Sequence, residues 1–218
     1  MLMVTATETA AAPVTLTDAA PGANPDPDPI RLAVIVGSTR EGRFGPKVAD
    51  WFTSRAAPRA DLRADVIDLV DTPLPGTLSY RPSPEAAEAL AAVGPRLEAA
   101  DAFVVITPEY NHSYPASLKN AIDWHYTPWR AKPVGFVSYG GISGGLRAVE
   151  HLRLVFAELH AVTVRDTVSF HNAGDLFAPD GTLKDPERPE AAATTMLDQL
   201  AWWARGLREA RAARPYDA

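Results

Sequence analysis

The residues best suited to chemistry in this chain fall in three polar loops, each placed directly after an apolar run. The first is GSTREGRFG, Gly37 to Gly45. If a helix follows it, the backbone N–H groups of the first turn converge on one point, where the helix end carries about half a positive charge. Ser38 and Thr39 add hydroxyl donors, and Arg40 and Arg43 add planar forks that match phosphate oxygens. An ordinary strand-to-helix turn, capped by Ser38 or Thr39, is the alternative. The spacing narrows the anion. A dinucleotide fingerprint needs G-x-G-x-x-G, whereas these glycines stand at 37, 42 and 45. A triphosphate loop needs Lys and a metal-binding hydroxyl after its second glycine, where this chain has Arg43 and Phe44. A phosphate monoester fits what remains.

The second loop is TPEYNHSYPASLKNAIDW, Thr107 to Trp124. Pro108 and Pro115 stiffen its polar start, and Glu109, Tyr110 and Asn111 can present backbone and amide groups to the edge of a flat heterocycle. The alternative is that Asn111 makes a turn and Tyr110 packs. The third loop is SYGGISGG, Ser138 to Gly145, whose glycine pairs let backbone approach a ligand closely. A plain glycine-rich turn is the alternative there. The five histidines, His112, His125, His151, His160 and His171, show no compact metal-ligand spacing with Asp or Glu. His112 stands apart because it lies beside the Pro108 to Asn111 segment.

The elements that must position these loops alternate between short β-rich runs and longer amphipathic segments. LAVIVG (32–37), ADVIDLV (64–70), AFVVIT (102–107), VGFVSYG (134–140) and a run within AVTVRDTVSF (161–170) read as five strands, several of them apolar enough to be buried on both faces. Between them, Val48, Trp51 and Phe52 fall at helical spacing. So do Leu90, Val93 and Leu97 behind a start at Ser83-Pro84. Further helices are predicted near Ala116 to Trp124, along Leu146 to Leu159, and along Met196 to Leu207 after a turn at Asp180-Gly181. Five strands alternating with five helices predict a doubly wound parallel sheet in three α/β/α layers, of flavodoxin-like order 2-1-3-4-5. In that order the loops after strands 1, 3 and 4 are neighbours at the switch point, where such sheets bind ligands.

Residues 1–29 read differently. They end in PGANPDPDP and hold four acids and no Lys or Arg, with no apolar periodicity, which predicts a disordered tail before a single domain over 30–218. They lack the basic start and apolar stretch of a secretory signal, so a cytoplasmic location is expected. The chain carries 21 Lys and Arg against 27 Asp and Glu, a net charge of −6. Without the tail's acids the body is close to neutral, with no basic footprint for nucleic acid and no basic amphipathic face for a membrane. No run approaches the roughly 18 apolar residues of a spanning helix. With no cysteine, thiolate and disulfide chemistry are excluded, so any redox role needs a bound cofactor.

With these residues in place, Gly37-Ser-Thr-Arg40, Pro108-Glu-Tyr-Asn111, Lys119-Asn-Ala-Ile-Asp-Trp124 and Ser138-Tyr-Gly-Gly141 resemble the NADPH-dependent FMN reductase family, which includes flavin-dependent quinone, azo-dye and chromate reductases. The resemblance covers about residues 31–205. It implies FMN held without a covalent link, NAD(P)H as electron donor, a flavin, quinone or related small-molecule acceptor, and homodimers or homotetramers. By the same resemblance Ser38 and Arg40 bind the phosphate, with Arg43 and Gly45 completing the loop. Pro108, Glu109, Tyr110 and Asn111 line the ribityl chain and ring edge, and Ser138, Tyr139, Gly140 and Gly141 the pyrimidine side. Some relatives place a Ser or Thr where this chain has Phe44 and Gly45. Hydride passing from nicotinamide to flavin needs no obligatory acid or base, so no catalytic residue and no metal ligand is assigned. The oligomers implied here favour a subunit interface covered by Trp124, Tyr126 and Trp129, three large rings within six residues; packing inside one subunit is the alternative. Two rival functions share the fold: a flavodoxin-type electron carrier and a non-redox binding module. Carriers resemble acidic proteins with Ser/Thr-rich phosphate loops, unlike this near-neutral body with two loop arginines.

Overall fold

In the computed structural model, residues 28–217 are described. Most of the tail predicted over 1–29 lies outside them. The first strand, β1 (Ile30–Val36), is buried along all but one position and stops at Gly37. A side chain at Gly37 would press within 3.2 Å of the Ile106 carbonyl and of Leu118, so the loop leaves the sheet where only glycine fits. Helix α1 (Gly45–Ala56) follows, then β2 (Leu62–Asp68), α2 (Pro84–Ala99), β3 (Ala102–Pro108), α3 (Ala116–Trp124), β4 (Pro133–Tyr139) and α4 (Leu146–Glu158). Ser83 caps α2 through a 3.3 Å bond from the Ala86 N–H, with Pro84 in the first turn, as the sequence predicts.

The strands pair in parallel in the order β2-β1-β3-β4, and two short pieces complete the far edge. This edge departs from the sequence reading. The fifth strand is split into β5 (Val162–Thr163) and β6 (Val168–Phe170), both paired with β4. Between the two pairings, four residues of this edge face two of β4. The Arg153 guanidinium on α4 supplies the reason. It donates to the Val164 and Arg165 carbonyls at 2.8 and 2.9 Å, replacing the sheet bonds these groups would otherwise need. A one-turn helix α5 (Ala173–Leu176) and the long α6 (Glu187–Ala213) finish the chain, giving six helices among the described residues rather than five.

Alternation along the strands builds two apolar layers. On one face Leu32, Val34, Val36 and Val137 pack with Val48, Phe52, Met196 and Leu200 from α1 and α6. On the other, Ile35, Phe103, Val105 and Phe136 pack with Val93, Leu97, Leu118, Ile122, Leu152 and Phe156 from α2, α3 and α4. Helices on both faces leave β3 and β4 wholly buried, while β2, at the edge, exposes Val66. Trp129 is 1% exposed, with its ring 4.7 Å from Phe103 and 5.3 Å from Phe156. It fills the core of its own subunit and does not cover an interface, because its indole N–H reaches the His125 carbonyl and brings the ring inward. Tyr126 is exposed, and Trp124 donates to the Pro75 carbonyl at 2.9 Å, pinning the loop after β2.

Candidate functional site

The carboxyl ends of β1, β3 and β4 lie side by side, and the three polar loops emerge there together. The order change between β1 and β3 makes this the switch point of the sheet.

The first loop ends on an open helix terminus. Phe44 occupies the N-cap of α1 without a side-chain hydrogen bond, and Pro46 in the first turn has no N–H to satisfy. Gly45 opens the helix in a tight space. A Cβ there would sit 3.0 Å from Val36 Cγ1 and 3.1 Å from the Tyr139 hydroxyl. Phe44 turns its ring into the core against Phe177 and Tyr139, 5.3 and 5.9 Å away, which accounts for an apolar residue at this point of the loop.

Of the residues singled out in this loop, Ser38 is fully buried and its Oγ lies 2.6 Å from the Tyr110 hydroxyl. Arg40 is exposed, with its guanidinium 5.6 Å from the Tyr110 ring centre. Arg43 is engaged within the protein. It donates to Asp68 at 2.5 Å and to the Ser38 carbonyl at 3.0 Å, so the end of β2 braces the loop. The hydrogen bond to Asp68 outweighs burial and holds the Arg43 guanidinium above its ordinary value.

The second loop is a tight two-residue turn. Tyr110 and Ser113 exchange backbone bonds of 2.8 and 3.1 Å, and Asn111 and His112 between them take left-handed φ values of +48° and +74°. Pro108 is buried at the end of β3, in register with Tyr139. Glu109 faces α4: its carboxylate accepts from the Arg147 guanidinium at 2.9 Å and the Arg147 N–H at 3.2 Å. Burial opposes the charge on Glu109, but bonds from Ser143 and Arg147 outweigh it and lower the pKa. Asn111 is exposed, and its amide makes no side-chain hydrogen bond among the described residues.

The third loop is folded onto itself. Ser138, fully buried, donates to the Gly144 carbonyl at 2.8 Å. Gly144 and Gly145 take φ values of +60° and +85°, and a Cβ on Gly145 would come within 2.7 Å of Ser138 Cβ. Both positions therefore demand glycine. Gly140 and Gly141 accept from the Ala173 and Asn172 N–H groups through their carbonyls. A Cβ at Gly141 would meet no atom of the described residues within 4 Å, so none of them requires glycine there. Tyr139 runs from this strand end toward the first loop. Its hydroxyl is buried and, among the described residues, lies near Ser38 without a well-formed hydrogen bond; burial, then the charge of the Tyr110 phenol, raises its pKa against the pull of Ser38, Arg43 and Arg40.

Sequence reasoning missed the braces. Asp68, Ser117 (whose Oγ donates to the Gly37 carbonyl at 2.8 Å), Ser143, Arg147 and His151 hold the loops from other elements. Long-range pairings of this kind leave no local signal in one sequence. Among the described residues no three His, Asp or Glu cluster as a metal site, and no helix is long and apolar enough to cross a membrane.

Fold and site together define a flavodoxin-like α/β protein with a polar crevice at its switch point and an open helix terminus on one wall. A profile of the NADPH-dependent FMN reductase family matches residues 30–175, and the chain belongs to that family. It is a flavin-dependent NAD(P)H oxidoreductase, and neither the carrier nor the non-redox reading is supported over this one. An NAD(P)H-dependent FMN reductase of Schizosaccharomyces pombe is 38% identical over 120 residues, 53% of this chain and 60% of that protein. A 2-hydroxy-1,4-benzoquinone reductase of a Burkholderia species is 30% identical over 82% of this chain and 98% of its own length. Among solved structures, the flavoenzyme NAD(P)H:(acceptor) oxidoreductase FerB of Paracoccus denitrificans superposes with a TM-score of 0.63 at 25% identity, over 81% of this chain and 98% of that one.

Proposed function

We propose that the FMN phosphate sits on the first turn of α1, that the ring lies between the second and third loops, and that electrons from NAD(P)H pass to quinone-type small molecules. The observation that carries this reading is the set of donors at the start of α1. An uncapped helix end, the Ser38 hydroxyl, the exposed Arg40 guanidinium and the orphaned Tyr139 hydroxyl come from two separate segments and suit one anion. A phosphate would satisfy the Tyr139 hydroxyl, which makes no well-formed hydrogen bond among the described residues.

When bound, FMN supplies the two-electron exchange between nicotinamide and acceptor. The chain's own residues bind and orient. Pro108, the Tyr110 ring and the unengaged Asn111 amide lie along one wall, and the Gly141 N–H, which makes no hydrogen bond among the described residues, is open on the other. Glu109 and Arg43 act from behind, since each is committed to a partner within the protein. The quinone class is supported by the Burkholderia relative. A cytoplasmic location, where NAD(P)H is supplied, belongs to the same proposal. So does a homodimer, supported by Ile142, Leu146 and Leu154, which are 85%, 42% and 74% exposed at and along α4 beside the crevice.

The test is a flavin titration. The purified protein should take up FMN and absorb near about 450 nm, as flavins do. Arg40→Ala should weaken FMN binding by about 1.5–3 kcal/mol, roughly 10- to 150-fold. Unchanged affinity in the folded variant would remove Arg40 from the phosphate site.

A further inference from the structure

Two imidazoles at the crevice have no part in the reading above. His112 stands exposed at the tip of the Tyr110–Ser113 turn, at a φ of +74° that residues with side chains rarely adopt. His151, on α4, shares a 2.9 Å hydrogen bond between its Nδ1 and Ser113 Oγ. The two rings lie 6.1 Å apart, with the Tyr114 ring edge-on to His151 at 6.5 Å. The turn that carries His112 is tied on one side to the first loop by Tyr110 and Ser38, and on the other to the start of α4 by Glu109 and Arg147. Both rings are thereby held at one edge of the crevice. The Ser113 bond occupies one ring nitrogen of His151 and leaves Nε2 for proton exchange.

The chemistry of the acceptor asks for such a group. Converting a quinone to a hydroquinone takes two electrons and two protons. NAD(P)H supplies the two electrons and one proton, and the second proton must come from elsewhere. The other polar side chains at the crevice are poor sources near neutral pH. A guanidinium is no proton donor in this range, Glu109 is held ionised, and Tyr139 is buried with its phenol pushed up.

We propose that His112, coupled to His151, donates this second proton to the oxygen of the reduced acceptor. The imidazolium N–H bond breaks, the O–H bond of the hydroquinone forms, and water reprotonates the neutral ring. The inference rests on the FMN-site reading given above. The charged and titratable groups around the pair are Tyr114 and Glu109 on the loop side, and Arg147 and Glu150 on α4, with Glu109 taken up by Arg147.

The experiment compares 1,4-benzoquinone with ferricyanide, a one-electron acceptor that takes no proton, on the FMN-loaded protein across about pH 5 to 9. In the wild type, the ratio of benzoquinone to ferricyanide turnover should fall as pH rises through the imidazole range, about 6 to 7. In the His112→Gln/His151→Gln double variant the ratio should drop about 10- to 100-fold at low pH and lose its pH dependence. A second measurement needs no turnover. In ring-proton NMR titrations of the protein, His112→Gln should move the His151 midpoint. An FMN-loaded double variant with an unchanged ratio and profile overturns the inference alone, as does a His151 midpoint indifferent to His112→Gln. A wild-type protein that takes up no FMN overturns the site reading and this inference with it.

Discussion

Replacing Tyr139 with Phe should stabilise the cofactor-free protein and weaken its hold on FMN. The opposite signs make the prediction informative. Tyr139 is 5% exposed, and among the described residues its hydroxyl makes no well-formed hydrogen bond. Leaving a buried hydroxyl unpaired costs about 1–3 kcal/mol. Phe keeps the ring and its contact with Phe44, whose centre is 5.9 Å away, so packing should survive. Allowing for partial relaxation, the gain should be about 1 kcal/mol, or roughly 2–4 °C in melting temperature for a domain of this size. With FMN, the same hydroxyl would donate to a charged phosphate, an interaction of about 1.5–3 kcal/mol. Its loss should raise the FMN Kd about 10-fold or more. Calorimetry without FMN gives the first number, and quenching of flavin fluorescence gives the second. A variant that melts lower than the wild type, or binds FMN with unchanged affinity, refutes the placement of the phosphate beside Tyr139.

Three further outcomes follow from burial and exposure elsewhere. Trp129→Ala should cost about 3–5 kcal/mol in urea unfolding, the value for emptying a core aromatic site, and should leave the association state unchanged in sedimentation. Leu154→Asp, on the exposed face of α4, should instead weaken association at little cost to the fold; the reverse pattern would return the interface to Trp129. Lys132 is 7% exposed, and burial, aided by Arg211 and opposed by Glu98 and Asp101, lowers its ammonium pKa from 10.5 to about 8. Between those values the unfolded chain binds more protons than the folded one, so this group makes stability rise with pH. Relative to Lys132→Met, the wild type should gain about 1–3 kcal/mol between about pH 7.5 and 9.5, and a constant difference would refute the assignment.

The sheet was legible because its signal is local. Leu32 to Val36, Phe103 to Ile106 and Val134 to Val137 are apolar at successive positions, and only a strand covered by helices on both faces accommodates that pattern. The far edge was not legible in detail. AVTVRDTVSF has the composition of one strand, and its division into β5 and β6 depends on Arg153 reaching across from α4 to take two carbonyls. The aromatic cluster misled for a related reason. Ring content near a crevice is visible in sequence, but whether Trp129 turns inward depends on the space between Phe103 and Phe156, which lie 26 and 27 residues away.

For the site, the sequence by itself determined the kinds of group available and the strand ends that carry them: hydroxyls and arginines after the first strand, a proline-stiffened polar turn after the third, paired glycines after the fourth. Loop composition and the periodicity around it are enough for that, since both are written within a few residues. Only the tertiary structure decided which of those groups are open to a ligand. It committed Arg43 to Asp68 and Glu109 to Arg147, left Arg40 exposed, and carried Tyr139 from the third loop's strand to the first loop, where its hydroxyl makes no well-formed hydrogen bond among the described residues. These assignments pair residues 25, 38 and about 100 positions apart, and the charge of a side chain says nothing about which distant partner the fold will bring to it.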